Sequence, residues 1–228
     1  MFYGYYDYII FMLPAIIITL FAQIKVKTTF SRYSKMPNVR GLTGAEAARQ
    51  ILDRNGLNHI RIEHIGGNLS DHFDPKNSVI RLSDATYNSA TVAAVGVAAH
   101  EAGHAVQYAV GYFPIKLRAF IIPVCNFGSG IAPYLILVGL IFNNPYLYLV
   151  GVFGFILVAF FQLVTLPVEF NASRRAVNVL AEYGTLTADE LSGAKKVLAA
   201  AAMTYVAALL TSLLQVFYYL SRFSSRRD

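Results

Sequence analysis

The stretch from Ser89 to Tyr112 reads SATVAAVGVAAHEAGHAVQYAVGY, and the order His100-Glu101-x-x-His104 at its centre governs how the rest of the chain is read. In a helix, residues four apart lie one above the other, so both imidazoles leave one face at a spacing that suits a single tetrahedral metal ion. Glu101 then stands beside that ion, where its carboxylate can take a proton from a metal-activated water. The flanks (Val95 to Ala99, then Ala102, Gly103, Ala105 and Val106) are apolar or small. Burying three ionisable groups among them costs on the order of several kcal/mol unless they are paired or metal-bound. A cation removes that cost.

Composition sets the frame around this segment. Of 228 residues, 56% are hydrophobic and only 14% charged, outside the range of ordinary soluble domains, so much of the chain is expected in lipid. The net charge of +6 comes with no basic motif interleaved with aromatics, which argues against nucleic acid and for charges that set membrane topology. The single cysteine, Cys125, excludes an intrachain disulfide and a thiolate cluster. Any metal must rely on nitrogen and oxygen donors.

Upstream, Tyr8 to Ile24 is an uncharged apolar run preceded by Tyr3, Tyr5, Tyr6 and Asp7, and followed by Lys25 and Lys27. It is long enough to cross a hydrocarbon core of about 30 Å. Positive charges after the run, with no small-x-small site behind it, favour an uncleaved helix over a signal peptide. The first transmembrane helix is placed at 4–24. Residues 28–88 are polar and rich in turn signals. Thr43 and Glu46 form a capping-box start for a helix closed near Gly56, and Ile60 to Leu82 has the texture of a small sheet. Val79-Ile80-Arg81-Leu82 is the candidate edge strand for binding a peptide. His59, His64 and His72 read as surface or structural histidines; His72, just before that strand, is singled out as a possible substrate contact rather than a ligand.

Downstream, Ala119 to Phe142 and Tyr146 to Val168 form a transmembrane hairpin (119–168) about the turn Asn143-Asn144-Pro145, with Pro123 and Pro133 tolerated inside it. A catalytic site of this type takes a third protein ligand, and Glu169 stands where the hairpin ends, followed by small Ala172 and Ala176 that permit close helix approach. On residue type alone, Glu169 is equally an interfacial carboxylate paired with Arg174 or Arg175. Thr187 and Glu190 signal another helix start, and Val197 to Leu220 is a fourth apolar span, crossing or interfacial. Charge counting puts Lys25 to Arg118 and Glu169 to Lys196 on the cytoplasmic side; a full fourth crossing then sends Arg222, Arg226 and Arg227 outside, against the same rule.

Taken together, His100-Glu101-Ala102-Gly103-His104, the run Glu169 to Ala176, Asp71 to Pro75 and Val79 to Ser83 resemble the YugP-type membrane zinc metallopeptidases, and more distantly the HtpX-like gluzincins and CaaX-prenyl proteases. The resemblance covers nearly the whole chain. It implies a mainly α membrane protein: transmembrane helices plus a small α+β zincin-like catalytic domain spanning 25–115, with its metal-binding helix at about 88–110. A third-ligand helix and polar segment (169–197) and a last helix (198–220) complete it. It further implies a zinc ion held by His100, His104 and Glu169, with Glu101 as general base of a multi-pass cell-membrane endopeptidase acting on polypeptides, membrane proteins among them, from the cytoplasmic side. Val79, Ile80, Arg81, His72, Arg174 and Arg175 are then candidate contacts to substrate or transition state. The HtpX-like relatives carry Asp four residues after the ligand glutamate, where this chain has Ser173, and position 171 is Asn. This leaves the partners that orient the two histidines open. The readings from other classes are a non-catalytic zinc-stabilised membrane scaffold, in which Glu101 has no task, and a metal transporter, for which intramembrane charges are too few and no internal repeat is visible.

Overall fold

The computed structural model describes residues 3–224. The side chains of Tyr3 and Tyr5, expected in an N-terminal tyrosine belt, and Arg226 and Arg227, expected outside the membrane, lie outside the described residues. In chain order the elements are α1 (Tyr3–Tyr33), α2 (Gly44–Arg54), β1 (Arg61–Ile65), β2 (His72–Asp74), β3 (Val79–Ser83), α3 (Val92–Ala109), α4 (Phe113–Ile141), α5 (Pro145–Glu182) and α6 (Ala188–Ser224). Helices α1, α4, α5 and α6 are each long and apolar enough to cross a bilayer. The chain divides into two compact units. One takes the described residues up to Gln23, Leu117–Leu166 and those from Thr204 onward; the other takes Ile24–Lys116 and Pro167–Met203.

The first unit is built for lipid. Ile10, Ile17, Phe120, Phe127, Phe142, Tyr146 and Phe153 are exposed, as side chains must be when the surrounding solvent is acyl chain. Its helices meet through small residues, because lipid offers no hydrophobic drive for one helix to join another and close backbone packing must supply the attraction. A Cβ placed on Gly154 of α5 would stand 2.8 Å from Cβ of Ala132 on α4, and one on Gly139 2.6 Å from the Tyr148 nitrogen. Within this unit α1 and α6 run antiparallel. Tyr8 packs edge-on to Tyr218 at 5.0 Å, and Thr19 reaches Thr211 at 3.3 Å. The last apolar span is therefore one continuous helix lying alongside the first rather than a re-entrant loop.

The second unit has an ordinary buried core, with Leu52, Ile80, Leu82, Val92 and Val95 essentially inaccessible. Its elements start where local chemistry dictates. Thr43 accepts from the Glu46 nitrogen while Glu46 accepts from the Thr43 nitrogen at 2.8 Å, a complete capping box on α2. The same exchange opens α6. Thr187 N–H donates to Glu190 Oε2 at 2.7 Å, and Glu190 Oε1 also accepts from Val39 N–H at 2.6 Å, so one buried carboxylate serves a helix end and the loop after α1.

The sheet corrects one expectation. Its order is β1-β3-β2, with β3 parallel to β1 and antiparallel to β2, so Val79 to Leu82 is the central strand and both its edges are taken. Val79, Ile80 and Leu82 are fully buried, and Arg81 turns outward to Asp74 at 2.8 Å and Glu63 at 3.3 Å. Hydrogen bonds from Asn77 first, and then from Arg81, hold the Asp74 carboxyl well below its usual range. Strand addition at Val79, Ile80 and Arg81 is thereby excluded; the outer strands of the sheet are β1 and β2. Buried Val79 on one face and buried Ile80 and Leu82 on the other suit a strand flanked on both sides, which period-two alternation alone does not distinguish from a half-buried edge.

Helix α3 runs through the middle of this unit with Thr91 as N-cap, its side chain accepting from Ala94 N–H at 3.3 Å. Its glycines are positions of contact. A Cβ on Gly103 would lie 2.8 Å from the Ala172 carbonyl of α5, and one on Gly96 3.3 Å from Cβ of Ala194 on α6. Only a residue without a side chain lets α5 come this near, which brings residues of α5 within bonding reach of His100 and His104.

Candidate metal centre

Three ligating groups converge where α3 meets α5. His100 Nε2 lies 3.2 Å and His104 Nε2 3.6 Å from the same oxygen, Oε2 of Glu169, and the ligand atoms of all three fall within 4.8 Å of one another. The rings stand nearly perpendicular, 82° apart with centroids at 4.7 Å. Glu169 is 2% exposed, so its charge is taken out of water and has to be met within the site.

The donor set and its spacing suit zinc. An ion about 2.0–2.1 Å from each donor at tetrahedral angles separates the donors by roughly 3.3–3.4 Å, and the two spacings to Glu169 fall on either side of that value. Two imidazoles and one carboxylate leave a fourth position for water, the pattern of catalytic rather than structural zinc sites. Electrostatics agree. Burial disfavours a charged His104, yet the Glu169 carboxylate, the Glu101 charge and the Gln107 amide oxygen outweigh it and raise its pKa above the ordinary histidine value. A cation between the rings meets the same negative field.

The remaining ring nitrogens are engaged elsewhere, which aims both Nε2 atoms at the shared point. Ser173 Oγ lies 3.1 Å from His100 Nδ1, and Gln107 Oε1 lies 3.0 Å from His104 Nδ1. Gln107 is fully buried, and its amide nitrogen donates to Val168 O at 2.8 Å and to Asn171 Oδ1 at 3.0 Å. Asn171 Oδ1 in turn accepts from Arg175 Nε at 2.8 Å. These contacts supply the orienting partners that the sequence left open: Ser173 takes the place of an aspartate, and Asn171 acts through a glutamine rather than on a histidine directly. Gln107 was missed in the sequence. Its signal was present, a buried-type amide one turn beyond His104 on the same face of an apolar helix.

Glu101, 8% exposed, accepts a hydrogen bond at Oε2 from the backbone N–H of Phe73 in β2 at 3.0 Å, and the Phe73 ring packs edge-on to Tyr108 of α3 at 5.6 Å. The sheet thus reaches the site through a main-chain donor. Of the other candidates, His72 is exposed with Nδ1 2.8 Å from Ser70 O, Arg174 is exposed, and Arg175 spends its Nε on Asn171. His64 pairs with Asp84 at 2.7 Å and His59 is exposed, in keeping with structural or surface roles.

No solved structure matches the chain. Over 221 residues it is 44% identical to a protein of Bacillus subtilis (strain 168) named putative membrane protease YugP, covering 97% of this chain and 98% of that one. Residues 8–224 match the family described as putative neutral zinc metallopeptidase, and the chain belongs to that family.

Proposed function

We propose that this protein is a membrane-embedded zinc endopeptidase whose second unit is a zincin-like catalytic domain. The observation that carries the reading is the convergence of His100 Nε2, His104 Nε2 and Glu169 Oε2 beside a carboxylate, Glu101, that is not one of the three. In the bound state zinc supplies Lewis acidity, acidifying a water and polarising the scissile carbonyl. Glu101 moves the protons. Its Oε2 is tied to Phe73 N–H, which leaves Oε1 to accept the proton from the attacking water and to hand it to the departing amine. Gln107 holds His104 and Ser173 holds His100 by Nδ1, so that both rings turn Nε2 toward the ion position.

A scaffold would give Glu101 no reason to stand beside the ligands with one oxygen uncommitted to the sheet. Glu169 follows directly on the apolar run that ends at Val168, which supports substrates drawn from membrane proteins or their emerging segments. Lys25, Lys27, Arg32, Lys116, Arg118, Arg174 and Arg175 flank the same ends of their spans, which supports a cytoplasmic site in the cell membrane. His72 and Arg174 remain the side chains proposed to meet substrate.

The test is metal removal. The detergent-purified protein should cleave casein, lose that cleavage on treatment with 1,10-phenanthroline, and regain it on addition of stoichiometric zinc. Cleavage that persists after zinc has been stripped, or a fully zinc-loaded protein that cuts no polypeptide in detergent or in liposomes, overturns the proposal.

A further inference from the structure

Within the zinc reading, on which this inference rests, we propose that Gln107 is a positioning residue that sets which nitrogen of His104 faces the ion, and that its own orientation is dictated by Val168, Asn171 and Arg175. The argument follows donor polarity along the chain of contacts. A guanidinium can only donate, so the atom 2.8 Å from Arg175 Nε must be the oxygen of Asn171. That oxygen, and the Val168 carbonyl, can only accept, so the Gln107 atom facing both must be its amide nitrogen. The Gln107 oxygen is then turned to His104 Nδ1 at 3.0 Å, and an oxygen there requires the proton on Nδ1. In the neutral ring, the form that ligates a metal, Nε2 then carries the lone pair and faces the metal position beside Glu169 Oε2.

No step in this chain depends on how an amide was oriented, because each end is fixed by a group of one polarity. The whole relay belongs to the second unit and sits on α3 and α5, joined where Gly103 lets the helices touch. Arg175, a candidate for meeting substrate on sequence grounds, has this inward task. The His100 side has no such lock, since the Ser173 hydroxyl can donate or accept.

The experiment uses the full chain in detergent with two readouts, zinc affinity by chelator competition and the His104 tautomer by 15N NMR at alkaline pH, where the ring is neutral. In the wild type the proton is expected on Nδ1. Gln107→Met, similar in volume but without the amide, should weaken zinc about 10- to 100-fold, the usual cost of losing an outer partner of a ligand histidine, and give mixed tautomers. Asn171→Leu should lose affinity to a smaller degree, and Asn171→Asp, still an acceptor for both Gln107 and Arg175, should recover most of it. This rescue separates polarity from packing, and it remains readable if Gln107→Met fails to fold. Zinc affinity within twofold of wild type in Gln107→Met, a tautomer unchanged by that substitution, or equal losses in Asn171→Leu and Asn171→Asp would each overturn the proposal. A wild type that binds no zinc defeats the zinc reading instead; the tautomer measured on that same protein still decides for or against the relay.

Discussion

Glu101→Gln should lower the turnover of a polypeptide substrate by about 10²- to 10⁴-fold while zinc content stays at one per chain, since this is the range that a positioned general base contributes. The substitution is close to isosteric. A glutamine oxygen can still accept from Phe73 N–H, so the link between β2 and α3 survives, and none of the three converging ligand atoms is touched. What disappears is the ability to accept and return a proton. Zinc analysis together with single-turnover cleavage of casein, on wild type and variant side by side, provides the comparison. Equal rates at equal zinc would show that another group acts as the base.

Glu169→Gln is expected to have the largest effect on the metal itself. Removing an outer hydrogen-bond partner of a zinc site costs about 10- to 100-fold in affinity, and removing a charged inner ligand exceeds that. A loss of more than about 100-fold is therefore expected, with cleavage falling in proportion to bound zinc. The amide keeps the volume that Glu169 fills at 2% exposure, so the packing of Ala172 against Gly103 should persist and helical circular dichroism should be unchanged. Chelator competition measures the effect. A variant that retains zinc as tightly as wild type would remove Glu169 from the ligand set.

These expectations rest on features that the sequence revealed unequally. The long apolar helices and the two helix starts at Thr43 and Thr187 were readable because hydropathy and capping are local properties. His100 and His104 were readable for the same reason, as four residues of one helix fix their relation. Glu169 was a contest between a ligand and a snorkelling carboxylate until folding brought it 3.2 Å from a residue 69 positions away. Its small neighbour Ala172 was the best local hint, and the contact with Gly103 shows why.

The rest was beyond local reading. Strand order depends on pairing between distant segments, so nothing within Val79 to Leu82 says that β2 would fold back to cover its second edge. The change from apolar to polar composition after Val168 suggested a boundary, yet α5 runs unbroken to Glu182, because intrahelical hydrogen bonds are indifferent to what surrounds them. Gln107 and Asn171 were invisible as a pair. Their roles follow from a contact spanning 64 positions and from the one polarity that Arg175 permits.

The most direct measurement is anomalous diffraction at the zinc absorption edge from crystals of the purified protein. A single strong peak is expected about 2.0–2.1 Å from His100 Nε2, His104 Nε2 and a Glu169 oxygen, with Glu101 outside the coordination sphere. A peak held by other residues, or zinc bound to the histidines while Glu169 points elsewhere, would contradict it.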